Sequence, residues 1–336
     1  MSPLAPIVDA VEPPEDRGLR RDDVALLVAT RGDGGVLHAR FGDLPRLLLP
    51  GDLIVVNTSG TLPAAVPGQI DSRAVELRLS TPAEGGAWVV ELRTELRAPL
   101  RRPPSGARVD LPGGARAELV APYLGSDRLH VARLSLPEPL HDYLHRHGRA
   151  IRYGYVDRDW PIDRYQTVFA TEPGSAEMPS AGRPFTPELV TRLVTRGVPV
   201  APVLLHTGVS SLEEDEAPYR EPYRVPAATA RLVNAVHGWG GRVVAVGTTV
   251  VRALESVAAR DGAVHAGEGW TDLVVTPARG LWAIDGLLTG WHEPRSSHAR
   301  LIEAAAGRAL LERSYSAARG RGYRFHEFGD SHLILP

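Results

Sequence analysis

The sequence of 336 residues has no cysteine, which removes disulfides, thiolate nucleophiles, iron–sulfur clusters and cysteine-held zinc together. Lysine is absent as well: all 38 basic residues are arginine, so a phosphate loop of the G-x4-G-K-[ST] kind is excluded. The chain also lacks a G-x-S-x-G elbow, an H-E-x-x-H helix and a dinucleotide-binding glycine fingerprint. Common hydrolase, zinc-peptidase and Rossmann readings therefore have no footing. No stretch approaches the ~18 uninterrupted apolar residues of a membrane helix. Met1 to Arg21, broken by Pro3, Pro6, Pro13 and Pro14, offers no apolar signal core. These absences point to a cytoplasmic protein. A dominant charge is missing too: 40 acidic residues against 38 basic ones leave −2, so no whole-molecule field draws the chain to nucleic acid or anionic membrane.

What is present suits a globular enzyme. Hydrophobic residues make up 43% and charged ones 23%, enough apolar surface for a sizeable core. The length predicts about two domains, and 34 Gly with 29 Pro predict many turns between short elements. Asp23 to Thr30 and Val36 to Phe41 flank Gly32-Asp33-Gly34-Gly35 as a hairpin, and Leu53 to Val56 reads as a buried strand ending at Asn57. From Leu62 to Leu136 the texture changes to short runs (74–79, 87–92, 107–111, 115–120 and 129–136) spaced by turn residues, which suggests a small barrel or sandwich. This part, residues 62–136, is expected as a domain inserted into a main domain of 1–61 and 137–336.

Beyond it, helix and strand alternate. Helices are expected over Pro137–His147, Thr186–Arg196 with Thr186 as cap, Pro226–His237, Thr248–Arg260 and Ser296–Arg313; strands over Val198–Leu205, Arg242–Val246, Leu273–Thr276 and Leu281–Asp285. The order implies an α/β main domain with a mixed or mainly parallel sheet.

The most informative stretch is Arg242 to Ser256, where a buried strand stops at Gly247 and a helix starts at Thr248-Thr249. Free amides and the positive dipole of a helix start favour a carboxylate or phosphate. Arg252 shares the face of Thr248, and Glu255 lies three residues further, within pairing reach of Arg252. An ordinary capped helix with a surface ion pair explains the same residues. The Pro/Gly/Ser-rich loop Pro173 to Gly182 suits either a ligand cover or a plain surface connection. His206 ends an apolar strand at the rim where α/β sites lie, and His292 sits in a turn. His141, His145 and His147 lack the spacing of zinc motifs and read as a solvated helix end. Two arginine groups (93, 97, 101, 102, 108 and 313, 319, 321, 324) suit either phosphate contact or solubility.

Taken in order, Val75-Glu76, Tyr165-Gln-Thr-Val168, Gly174 through Pro179-Ser-Ala-Gly182 to Phe185-Thr186, His206-x-Gly208, Val246 to Ser256, Thr289-x-x-His292-x-Pro294 and Tyr323-Arg-Phe325 with Gly329-Asp330 resemble the S-adenosylmethionine:tRNA ribosyltransferase-isomerase family of the queuosine pathway. The likeness spans nearly the whole chain. It implies an α/β main domain with an inserted double-psi β-barrel. It also implies transfer and rearrangement of the ribosyl part of S-adenosylmethionine onto 7-aminomethyl-7-deazaguanine in tRNA, giving epoxyqueuosine with release of adenine and methionine. S-adenosylmethionine is then a substrate, no metal is needed, the partner is a tRNA anticodon loop, and the chain is expected to act as a monomer.

The resemblance also implies roles. Thr248, Thr249 and Arg252 would hold the methionine carboxylate or the ribose, while Ser180, Ala181 and Gly182, with Tyr165 and Gln166, would line the nucleoside pocket. His206 and His292 would transfer protons, and Glu255, grouped with them, would orient Arg252. Several departures touch these places. The usual Asn-Asp-Thr-Arg is Asn57-Thr-Ser-Gly60 here, the usual Gly-Leu-His-Phe-Thr is Gly182-Arg-Pro-Phe-Thr186, and a double-Pro segment is replaced by Arg152-Tyr-Gly-Tyr155. The usual His-Val-Gly-x-Gly-Thr-Phe is His206 to Leu212, and Met-His-Ser-Glu is Pro218-Tyr-Arg-Glu221. Two other readings follow: an enzyme that cleaves or rearranges S-adenosylmethionine with a small acceptor or none, and a non-catalytic binder of S-adenosylmethionine or RNA.

Overall fold

The computed structural model describes residues 6–94, 98–210, 218–292 and 297–336, with only the backbone of Ser297. Arg97, Ser211, Leu212, Pro294, the Ser296 helix start and Pro3 lie outside the described residues.

One nine-stranded sheet runs in the order 267–271, 221–225, 200–205, 53–57, 243–246, 286–290, 331–335, 25–30 and 36–40. Its middle four strands are parallel, while both flanks include antiparallel pairs, so the sheet is mixed. Leu53–Asn57 and Val243–Val246 are buried along their whole lengths, as strands covered on both faces must be. One face packs Val250, Val251 and Leu254 of helix Thr248–Ser256 with Leu301 and Ile302. The other packs Phe41, Phe185, Leu189 and Leu193.

A second sheet closes on itself: 65–70, 73–82, 88–94, 108–110, 116–122 and 129–135 form a six-stranded barrel, because 129–135 pairs with both 116–122 and 88–94. Each of these barrel pairings is antiparallel. Closure leaves the six strands no open edge. Leu77, Val90, Val109 and Leu119 fill the barrel, and helix Leu140–His147 adds Tyr143 and Leu144.

Several boundaries differ from the sequence reading. Strand Ala65–Ile70 carries Pro67-Gly68, a pair that reads as a turn; the glycine is needed because a Cβ there would stand 2.9 Å from Leu111 and 3.0 Å from Val109. Leu273–Thr276 and Leu281–Asp285 are not strands; the strands are Gly267–Thr271 and Gly286–Gly290. Val275, Ala283 and Ile284 of the two misread runs are buried as loop against the sheet core, whereas Val274 is exposed. The helix from Thr248 stops at Ser256, and Ala258 turns back to bridge Val264 around Gly262 at φ 87°. The Ala-rich helix breaks at Gly307, φ 75°, into Ser297–Ala306 and Arg308–Gly320.

Candidate active site

The strand Val243–Val246 is followed by Gly247, whose φ of 91° favours a residue without a side chain. A Cβ there would also stand 3.3 Å from Ala181. The helix that follows has no side-chain cap, so the donors of its first turn remain for a ligand. Gly247, Thr248 and Thr249 line a cavity of about 500 Å³. Other wall segments, Thr207–Ser210 and Thr289–Gly290, also lie at the carboxyl ends of parallel strands. Open α/β sheets place ligands at this edge. Asn57 ties the edge together: its amide donates to Leu205 O at 2.8 Å and Thr249 Oγ1 at 3.3 Å, and its carbonyl accepts from Leu205 N at 3.0 Å.

Arg252 lies in the wall but is heavily engaged. It pairs with Glu221 and donates to Thr271 O at 2.9 Å, Leu273 O at 3.2 Å and Tyr219 O at 3.3 Å, leaving little donor capacity for a ligand. Glu221 also accepts from Gly208 N at 2.9 Å, and burial raises its carboxyl above the usual range against the pull of Arg252.

Tyrosines and carboxylates form another part of the wall. Tyr153 donates to Glu177, which also accepts from Ser210 N at 2.8 Å and Ser210 Oγ at 2.5 Å. Tyr155 donates to Glu327 at 2.5 Å and stacks on His326 at 4.0 Å between ring centres. Burial carries Glu327 up to about 7, opposed by the Tyr155 hydrogen bond and assisted by the charge of Glu177. The buried Tyr165 hydroxyl has no hydrogen-bond partner among the described residues. His292 stacks on His298 at 4.6 Å. Burial drives His292 well below its ordinary value, aided by the charges of His298 and His326; burial and Arg252 bring His298 to about 4.

Charges buried on the outer face of the barrel, opposite its apolar interior, support this wall from behind. Glu91 pairs with Arg93 at 2.8 Å and Arg128 at 2.9 Å, and Arg128 donates to Ser210 O at 3.0 Å. Arg78, paired with Glu76 at 2.7 Å, lies 5.6 Å from the centre of the Tyr153 ring.

Of the residues singled out from sequence, Tyr165, Ser180, Ala181, Thr248, Thr249, Arg252 and His292 meet at the cavity. Four are placed elsewhere among the described residues. His206 sets its Nδ1 2.7 Å from Ser59 Oγ, which is 2.6 Å from Ser175 Oγ, a buried hydroxyl cluster behind the wall. Glu255 pairs with Arg279 at 2.7 Å and accepts from Trp282 N and Ala283 N, so it anchors the 276–283 loop rather than Arg252. Gln166 clamps Thr61, accepting from its N–H at 3.0 Å and donating to its carbonyl at 2.7 Å. Gly182 packs against Thr167 and Phe169. The sequence reading missed Tyr153, Tyr155, Glu177, Glu327 and His298. The two tyrosines carried a signal as part of the replaced double-Pro segment, and Glu177 as part of the singled-out loop Pro173 to Gly182.

A sequence model described as "Queuosine biosynthesis protein" matches residues 4–334. The chain belongs to this family. It is 41% identical over 330 residues to the S-adenosylmethionine:tRNA ribosyltransferase-isomerase of Moorella thermoacetica, with 94% of each chain covered. The protein of the same name from Thermus thermophilus is 37% identical, with 96% of this chain and 97% of that one covered. A solved family structure, the S-adenosylmethionine tRNA ribosyltransferase of Thermotoga maritima, superposes with a TM-score of 0.55 at 29% identity over 99% of each chain. Among the described residues no helix is long and apolar enough to cross a membrane.

Proposed function

We propose that the protein transfers and isomerises the ribosyl part of S-adenosylmethionine onto 7-aminomethyl-7-deazaguanine in a tRNA anticodon loop, forming epoxyqueuosine and releasing adenine and methionine. One observation carries the reading: in a chain aligned nearly end to end with enzymes of that name, the uncapped helix start at Thr248 opens on a cavity large enough for a nucleoside.

The chemistry fits the wall. The amides and hydroxyls of Thr248 and Thr249 suit the methionine carboxylate, and Ser180 and Ala181 bound the nucleoside. The sulfonium acidifies the adjacent C5′ hydrogens, so a base held against them forms an ylide-like carbanion. Adenine and then methionine depart as the acceptor amine bonds to the sugar. His292, neutral through burial, is the proton-transfer group we assign, and Arg252 acts by holding Glu221 in place. The cavity is partly open, so the bound substrates themselves must complete the shielding of the intermediates from water. Residues 62–136 form the inserted domain in this reading, with Tyr143 and Leu144 completing its core.

The test is adenine release from S-adenosylmethionine by the purified protein, with tRNA carrying the aminomethyl-deazaguanine, with unmodified tRNA, and with neither. Release only with the modified tRNA is expected. Equal release without tRNA would replace this reading by cleavage with a small acceptor or none, and no release in any arm would leave a binder.

A further inference from the structure

The proposed reaction uses two substrates, and the residues assigned so far hold only one of them. Glu177 and Glu327 line the same cavity and lie close enough for the charge of Glu177 to act on Glu327. Their nearby cations are committed elsewhere. Arg183 donates to Glu15 at 2.9 Å and to Arg164 O at 2.8 Å. Arg78 is bound to Glu76, and Arg252 to Glu221.

Each carboxyl is oriented by a tyrosine and keeps acceptor capacity: Oε2 of Glu177 takes only Ser210 Oγ, and Oε1 of Glu327 takes no side chain among the described residues. The rings of Tyr153 and Tyr155 stack at 6.1 Å, and His326 continues the stack. Tyr165, 3% exposed, brings to the same cavity a hydroxyl that nothing described satisfies. A buried polar atom left without a partner costs about 1–3 kcal/mol, so a ligand that supplies one is favoured. Acceptors of negative charge beside stacked aromatic faces suit an organic ammonium.

We propose that Glu177, Glu327 and Tyr165, walled by Tyr153, Tyr155 and His326, form a subsite for the primary ammonium group of the acceptor. The assignment rests on the proposed reaction only for which amine is received, a modified tRNA base or a free small amine. The ammonium donates to the two carboxylates and to the Tyr165 oxygen, while the aromatic faces flank the attached ring. Loss of a proton to one of these carboxylates then frees the nitrogen lone pair for attack on the sugar.

The full-length protein, held with S-adenosylhomocysteine to prevent turnover, is titrated calorimetrically with 7-aminomethyl-7-deazaguanine and with its 7-hydroxymethyl counterpart. The amine is expected to bind ~tenfold or more tightly than the alcohol, as a charge-assisted hydrogen bond predicts. In Glu327→Gln and Glu177→Gln the gap shrinks to about twofold or less. Wild-type protein that fails to prefer the amine both as the free base and on an anticodon stem-loop overturns the subsite without recourse to a variant. So does a gap unchanged in variants whose thermal melts remain cooperative. An anticodon stem-loop bearing each base separates the sources: discrimination on the RNA alone means the amine arrives with tRNA, whereas discrimination with the free base means a small amine suffices, and both support the subsite. Discrimination without adenine release from any acceptor would refute the proposed reaction and leave the subsite standing.

Discussion

Two parts of the cavity wall are built in opposite ways. The part around Thr248 stands on regular structure: a buried parallel strand, a left-handed glycine and a helix that packs Val250, Val251 and Leu254 against the sheet. The part around Glu177 and Glu327 stands on irregular segments at 153–155, 176–181 and 326–327, held by tyrosine–carboxyl hydrogen bonds and charges buried on the outer face of the barrel. Backbone geometry dictates the first, whereas side-chain partners dictate the second. Changes in the first should therefore act through folding and S-adenosylmethionine binding together, and changes in the second through protonation and acceptor choice.

The strongest challenge to that contrast is Arg252→Ala. It strands the nearly buried Glu221 without its partner, and a loss of about 3 kcal/mol in unfolding free energy is expected, together with loss of adenine release. A second change, Glu221→Gln, should restore most of the stability but not the turnover; denaturant titration and product assay check both. Next comes Gly247→Ala, which forces a side chain into φ 91° beside Ala181. A cost of about 1–3 kcal/mol is expected, read by the same titration with weakened S-adenosylmethionine binding.

Protonation separates the two parts further. An unfolded glutamate ionises near 4.5 while Glu327 holds its proton to about 7 in the fold. Its ionisation therefore costs the folded state stability across that interval, with the full cost present above it. Wild-type melting temperature should fall relative to Glu327→Gln as pH rises from 4.5 to 7; parallel curves would contradict the assignment. His298 runs the other way. Its ordinary value is 6.5 and its folded value about 4, so the unfolded chain gains the proton first and stability declines as pH falls through that range. His298→Leu should flatten this acid limb. The smallest effect is expected from Gln166→Ala, about 1 kcal/mol for a lost backbone clamp, with acceptor discrimination intact.

Much of the regular part was legible in the sequence. The run Val243 to Ser256 carries its own signals, an apolar strand, a glycine and a helix start, and evenly spaced short strands signalled a small barrel or sandwich, of which the structure shows the barrel. Strand 65–70 was hidden because Pro67 and Gly68 serve sheet packing there while also reading as a turn. Leu273 to Thr276 looked like a strand because it is apolar without being paired: Val275 is buried there as loop, whereas Val274 is exposed. Glu255 lies within helical reach of Arg252, yet it turns to Arg279 and the amides of 282 and 283, partners supplied by a loop that local spacing does not describe. Glu177 and Glu327 lie 150 positions apart in sequence, and only the tertiary fold brings them to one cavity.

Ser210 gives the barrel a role beyond filling space. Its carbonyl is held by Arg128, which leads into barrel strand 129–135 and pairs with Glu91 on the outer face of the barrel, and its amide and hydroxyl hold Glu177. A rotation of the barrel against the nine-stranded sheet would thus drag a carboxylate across the chamber. Excising the insertion as a removable module would take away the gauge that sets how far apart the two reacting molecules lie.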